Sequence, residues 1–301
     1  MRSLLFVPGD SKEKLEKAFR SGADALILDL EDSVPVAAKE AARRTSLAFL
    51  QERRGEGARP LFYVRINALS TPFADGDLDV VMTGAPDGIV LPKATGGGDV
   101  ALLDARLAVR EALHGIADGG TRIVAIATES AAAIFGLGTY AGASSRLAGL
   151  AWGAEDLAAD TGAQSTRVDA AWTEPNRLVR NLALFGAAAA GVAAIDTVYT
   201  DFRDTEGLRN ECAAAVEDGF TAKLAIHPDQ VDVINLAFTP STEAISRAEQ
   251  IVAAFAEAGD AGVIALDGKM LDRPHLKAAE RLIARTKTNS LGPTTSPPTP
   301  S

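Results

Sequence analysis

Cysteine is nearly missing from this chain: Cys212 is the one thiol in 301 residues. An internal disulfide and a cysteine-built metal cluster are both excluded. Aromatic residues make up 5% of the chain, and its three histidines form no HxH or HxxE pattern. A histidine-built zinc centre is therefore excluded as well. Positive charge is also short. The formal net charge is −10 and no basic stripe interrupts it, which argues against nucleic acid as a partner. Scattered Arg and Lys can still hold a small anionic metabolite. No apolar run is long enough to span a bilayer. The opening "MRSLLFVPGD" has one positive charge and too short an apolar stretch for a signal peptide. The expectation is a soluble cytoplasmic protein with neither a nucleic-acid nor a membrane partner. The first turn, "VPGDS", lacks the GxGxxG fingerprint of a dinucleotide-binding sheet.

What the chain does have is a rhythm. Hydrophobic residues reach 47%, enough for a large core. Short apolar runs fall at residues 3–7, 25–30, 61–66, 88–91, 122–127, 147–152, 194–199 and 222–226. Most are continuously apolar rather than alternating, as expected of parallel strands covered on both faces. Between them, residues 11–21, 37–53, 99–114, 173–190 and 205–218 have amphipathic helical spacing, with Ser11 placed to cap the first. Eight strands with intervening helices predict an α/β fold, the TIM (β/α)8 barrel, ahead of a doubly wound open sheet. Residues 1–238 are expected to form the barrel. Residues 239–286 read as a C-terminal helical lid or oligomerisation segment, with helices at 241–258 and 274–286. Residues 287–301 are rich in Pro, Ser and Thr and cannot build a core, so disorder is expected there.

Barrel enzymes carry their chemistry at the C-terminal ends of the strands. Strand two ends in "LDLEDSV" (Asp29, Glu31, Asp32), strand three in "VRIN" (Arg65, Asn67) and strand four in "LPKA" (Lys93). Strand five ends in "ATES" (Glu129) and strand six in "WGAED" (Glu155, Asp156). Strand seven carries Asp196, and strand eight ends in "IHPDQ" (His227). Glu129 and Asp156 are separated by about one βα unit, roughly 25–30 residues. Carboxylates at neighbouring strand ends can converge on Mg2+, with water and substrate oxygens completing its shell; Glu155 is the alternative partner. Arg65 can clamp a carboxylate bidentately, or pair with Asp29 or Glu31 inside the barrel. Lys93 can contact an acid or a phosphate, or form a Schiff base, which a nearby metal site would make redundant. His227 before a proline reads as structural, and Gly96–Gly97–Gly98 as a flexible turn rather than a phosphate cradle.

Taken in order, "SLLFVPGD", "LDLEDSV", "VRIN", "LPKA", "ATES", "AWGAEDL", "AIDTVYTDF", "IHPDQ" and "DGKMLDRPHLKAA" resemble the HpcH/HpaI aldolase superfamily. The likeness is to its citrate lyase beta subunit-like and malyl-CoA lyase branch, and it covers roughly residues 1 to 286. The resemblance implies a Mg2+-dependent carbon–carbon lyase, with Mn2+ as the alternative ion, acting on a 3-hydroxyacyl-CoA such as malyl-, citramalyl- or citryl-CoA. Its products would be acetyl-CoA (or a homologue) and a 2-oxo acid. The resemblance makes Glu129 and Asp156 metal ligands, Arg65 a catalytic and substrate-binding arginine, and Asp272 an acid/base group that relatives often contribute across a subunit boundary. Substrate contacts from Glu129 and Lys93, and a homotrimer or hexamer, complete that expectation. Asp272 before Arg273–Pro274 also fits a helix N-cap. Two other activities stay open: a CoA-free Mg2+ aldolase of 4-hydroxy-2-oxo acids, and the citryl-carrier-protein lyase subunit of a citrate lyase complex. A non-catalytic barrel would have no use for Arg65, Glu129, Asp156 and Asp272 together.

Overall fold

The computed structural model describes residues 1–169 and 171–290. The strands in chain order are β1 (Ser3–Pro8), β2 (Ala25–Asp29), β3 (Leu61–Arg65), β4 (Gly88–Leu91), β5 (Arg122–Ile126) and β6 (Leu147–Ala151). They are followed by β7 (Arg167–Val168), β8 (Ala171–Trp172), β9 (Ala193–Asp196), β10 (Ala222–Ala225), β11 (Val263–Leu266) and β12 (Lys269–Asp272). Eight of these close into a barrel in the order β1-β10-β9-β6-β5-β4-β3-β2, every pairing parallel. This is the expected TIM barrel.

The continuous apolar runs are explained by two separate cores. Alternate residues such as Leu4, Ile27, Tyr63, Val124, Ala151 and Ile195 fill the barrel interior. Their neighbours, such as Leu5, Leu28, Val64, Ile123, Leu150 and Trp152, pack outward against the helices. Each strand residue is thus buried whichever way it points, and a fully buried Leu or Ile contributes about 1.5–3 kcal/mol. The same alternation decides the direction of each strand-end charge. Asp29 and Arg65 continue the inward parity of Ile27 and Tyr63, whereas Asp196 and Lys223 sit one residue out of phase with inward Ile195 and Leu224.

The long helices match expectation closely. Ser11 caps the first, its Oγ accepting the Lys14 amide at 3.4 Å. Helices Ala74–Val81, Glu155–Thr161 and Val231–Phe238 were not anticipated, and neither was the β7–β8 hairpin. Gly96–Gly98 is not a flexible turn. Gly97 opens the helix Gly97–His114, and a Cβ on it would lie 2.1 Å from the Thr139 carbonyl oxygen. Glycine stands there because two backbones nearly touch.

The C-terminal segment starts away from the mouth. The chain leaves the barrel beside the N-terminal strand ends, where the Arg2 guanidinium donates to Thr239 Oγ1 at 2.9 Å. The helices Thr242–Glu257 and Arg273–Ser290 then pack chiefly on each other, joined by the antiparallel β11–β12 hairpin. Arg285 returns close to the Met1 amino group. The segment is therefore an arm rooted opposite the mouth. Its last helix runs to Ser290, past the expected start of the tail, and residues 291–301 lie outside the described residues.

Candidate active site

Strand register builds the first half of the site. Asp29 and Arg65 are direct partners across the β2–β3 ladder. Their side chains both point inward, and Arg65 Nε and Nη2 each donate to one Asp29 oxygen at 2.7 Å. Arg65 Nη1 lies 3.1 Å from Glu31, and the guanidinium stacks over the Phe6 ring at 4.8 Å. The fork between Arg65 and Asp29 is one of the strongest polar geometries available. Burial acts to raise the Asp29 pKa, but the Arg65 guanidinium outweighs it and holds the carboxyl below its usual range. Asp29 also accepts the amides of Glu31 (2.9 Å) and Ser33 (3.1 Å). Buried Lys39 donates to the Leu30 and Glu31 carbonyls at 2.8 and 2.7 Å. The loop after β2 is held from both sides, and Glu31 is aimed into the mouth.

Lys93 joins the two halves. Its backbone has φ 52°, a left-handed conformation costing a non-glycine residue roughly 1–3 kcal/mol. That geometry turns its N–H onto a Glu129 oxygen while its ammonium contacts Glu31. The ammonium also lies 3.3 Å from Asp32 and 4.0 Å from Asp156. Burial alone would lower the Lys93 pKa, but these carboxylates push it up to about 12. A permanently protonated amine is a poor nucleophile, so the Schiff-base reading of Lys93 is set aside.

Glu129 is the electrostatic outlier. It is 5% exposed, and its carboxyl is pushed up to about 8, first by burial and then by the charges of Asp156 and Glu31. The Lys93 amide and ammonium offset only part of this. Asp156 is half-exposed at the start of the helix Glu155–Thr161, while Glu155 faces solvent toward Thr166. Asp156 is thus the residue that shares the mouth with Glu129. The two loops are tied together: the Gly153 amide donates to Thr128 Oγ1 at 2.9 Å, and that hydroxyl donates to the Gly153 carbonyl at 3.3 Å. Gly153 also leaves room, since a Cβ there would lie 3.1 Å from Glu129 Cγ.

A buried carboxylate beside a second carboxylate is the donor set a hard divalent cation takes. Among the described residues no group of three or more His, Cys, Asp or Glu side chains is placed to hold a metal ion. Two carboxylates still fit, because Mg2+ keeps several waters and takes substrate oxygens. Burial first, then the charges of Asp156 and Glu31, raises the Glu129 pKa, and a bound cation would offset both effects.

Two expected features lie elsewhere. Asp272 ends β12 and contacts His275 Nδ1 at 2.5 Å, and among the described residues it makes no hydrogen bond or ion pair with Arg65, Lys93, Glu129 or Asp156. His227 is structural, as expected: its Nδ1 accepts the Asp229 amide at 3.3 Å and its ring stacks on Phe202 at 4.6 Å. Sequence reasoning placed Glu31 and Thr128 at strand ends without singling either out. The spacing of Asp29 and Glu31, two residues apart at a strand end, was the available signal for Glu31.

The sequence profile of the HpcH/HpaI aldolase/citrate lyase family matches residues 2–228. The chain belongs to that family. Membership places it among lyases. It is 34% identical over 294 residues to the citrate lyase subunit beta of Leuconostoc mesenteroides subsp. cremoris, covering 96% of this chain and 94% of the relative. It is 33% identical over 298 residues to a (3S)-malyl-CoA thioesterase of Cereibacter sphaeroides, covering 95% and 94%. Among solved structures, CitE of Mycobacterium tuberculosis in complex with magnesium, acetoacetate and coenzyme A superposes with a TM-score of 0.72. It shares 34% identity with this chain, over 95% of this chain and 98% of that one. Among the described residues no helix is long and apolar enough to cross a membrane.

Proposed function

We propose that the protein is a divalent-cation-dependent carbon–carbon lyase that cleaves or forms a 3-hydroxyacyl-CoA, yielding a 2-oxo acid and acetyl-CoA or a homologue. The observation that carries this reading is the underneutralised pair Glu129 and Asp156, set beside the Arg65 clamp in one barrel mouth. The magnesium and coenzyme A in the CitE complex support it. Glu129 and Asp156 would hold the ion, Mg2+ or alternatively Mn2+, which when bound lowers the pKa of a substrate hydroxyl and polarises the neighbouring carboxylate.

The chain's own groups account for the rest. Arg65 has Nε and Nη2 held by Asp29 and Nη1 beside Glu31, so it enters the reaction already oriented and offsets carboxylate or enolate charge without reorganising. Lys93 offers a second fixed cation at the rim for the acid end of the substrate. In cleavage the hydroxyl proton leaves, its electron pair forms the new carbonyl, and the carbon–carbon bond breaks. The electrons pass to the thioester as an enolate, whose carbon then takes a proton. Asp272 is the assigned acid. Because it sits on an arm rooted opposite its own mouth, a neighbouring copy in a homotrimer or hexamer would deliver it.

The test is a panel of malyl-, citramalyl- and citryl-CoA with the corresponding free hydroxy acids, assayed for 2-oxo acid and for free thiol, with Mg2+ and after EDTA. Metal-dependent 2-oxo acid release from a CoA thioester is the expected result, abolished in Glu129→Ala and Asp156→Ala. Asp272→Asn should lose turnover while still binding substrate. Full activity after EDTA would reject the metal reading. Oxo-acid release from free hydroxy acids alone would point to the CoA-free aldolase. Thiol release without cleavage would point to the activity named for the Cereibacter relative. Activity only with an acyl carrier subunit would point to a citrate lyase complex.

A further inference from the structure

A closed ring of contacts runs through the barrel wall behind Asp156. The indole Nε1 of Trp152 donates to Asp196 Oδ1 at 2.7 Å. Asp196 Oδ2 accepts from Lys223 Nζ at 2.8 Å, and Lys223 also donates to Glu211 at 2.7 Å and to the Thr197 carbonyl at 2.7 Å. Glu211 in turn binds the Arg167 guanidinium. Arg167 lies over the Trp172 ring at 3.4 Å, and Trp172 meets Trp152 edge-to-face at 4.9 Å. Trp152, Asp196 and Lys223 are all fully buried. Burying so many charges carries a desolvation cost that an apolar filling would avoid, so stability is a weak account of the ring. What the ring does deliver is a single orientation of one indole.

That indole belongs to the first residue after β6, four positions before Asp156. On the inner side, the next residue, Gly153, is hydrogen-bonded to Thr128, which precedes Glu129. We propose that Trp152 is a positioning residue of the carboxylate pair: the wall ring anchors the Asp156 loop from outside while Thr128 ties it to Glu129 from inside. The proposal rests on the reading of Glu129 and Asp156 as cation ligands. Groups that hold a ligand from behind characteristically change metal affinity by roughly 10–100-fold when removed.

The chain has two tryptophans, and both lie in this ring, so its indole emission reports the ring alone. Mn2+ binding to the full-length protein is read by electron paramagnetic resonance of the free ion, well below the melting temperature, and Trp emission is followed during a parallel Mg2+ titration. Wild type is expected to bind one Mn2+, with a Trp change at the matching midpoint for Mg2+, and Asp156→Asn to lose both. Trp152→Phe keeps an aromatic ring at the position, with some loss of buried volume, but removes the donor, and should bind Mn2+ about ten-fold more weakly. A folded Trp152→Phe that binds Mn2+ like wild type overturns the positioning role and leaves the cation reading standing. Absence of Mn2+ binding in wild type overturns both. Should Trp152→Phe fail to fold, Arg167→Met decides, because it cuts the ring at its half-buried outer side. Weaker Mn2+ binding supports the proposal, and unchanged affinity overturns it.

Discussion

Two charged clusters lie along this barrel, one in its mouth and one in its wall, and they do opposite things. In the wall, Asp196, Lys223, Glu211 and Arg180 are buried between strands and helices. Asp196 is held low against burial by Lys223 and Arg180, so acid and base are matched. In the mouth, Arg65 and Lys93 face Asp29, Glu31, Asp32, Glu129 and Asp156, and Glu129 is left pushed up to about 8. The wall cluster is complete as it stands. The mouth cluster is short of positive charge. The difference teaches that a strand-end charge is not functional by address alone. It is functional when strand parity turns it into the barrel and its neighbours leave it unneutralised.

Removing one partner from each cluster should separate them most sharply. Lys223→Met leaves Asp196 and Glu211 buried without their shared cation, and should cost about 3–5 kcal/mol in denaturant unfolding. Glu129→Gln removes a strained charge while keeping an acceptor for the Lys93 amide. It should leave stability unchanged or raised while activity is lost. Comparable destabilisation by both variants would erase the distinction.

The pH response sharpens the same contrast. The Glu129 pKa is raised by folding in the metal-free protein, so its contribution to stability is full below the ordinary carboxylate range and is lost as pH rises through about 8. The metal-free melting temperature should therefore fall from the ordinary carboxylate range up to about pH 8 and level off above it, and Glu129→Gln should flatten the fall. The smallest effect is expected far from both clusters. The Lys12–Glu52 pair is 3.0 Å long with side chains 65% and 47% exposed, so Lys12→Ala should shift stability by less than about 0.5 kcal/mol and leave cation binding untouched.

The barrel was legible because its strands are short runs apolar on both faces, alternating with amphipathic helical stretches, as a covered parallel sheet requires. Glu129, Arg65 and Lys93 were legible because each is the first charge in or just after such a run; Asp156 comes second, behind Glu155, and local pattern alone left the two as alternatives. Asp196 looked the same from composition. Only its phase relative to inward-facing Ile195 sends it into the wall. The β7–β8 hairpin was invisible, since two-residue strands carry no period. The helix Ala74–Val81 was obscured by Asp75, Gly76, Asp77 and Asp79, of which buried Asp77 serves Arg43 and Asn67. The position of Asp272 was not legible either, because local pattern fixes the arm's helices but not which barrel they serve.

The central claim is that Glu129 and Asp156 are a cation site waiting for charge, and thermal unfolding with and without Mg2+ tests it most directly. A ligand that binds only the folded state stabilises it by about 2.7 kcal/mol at a hundred times its Kd. Wild type should melt higher in saturating Mg2+, while Glu129→Gln and Asp156→Asn, both folded, should not respond. A Mg2+ shift of the same size in wild type and both variants, or no shift in wild type, would contradict the account.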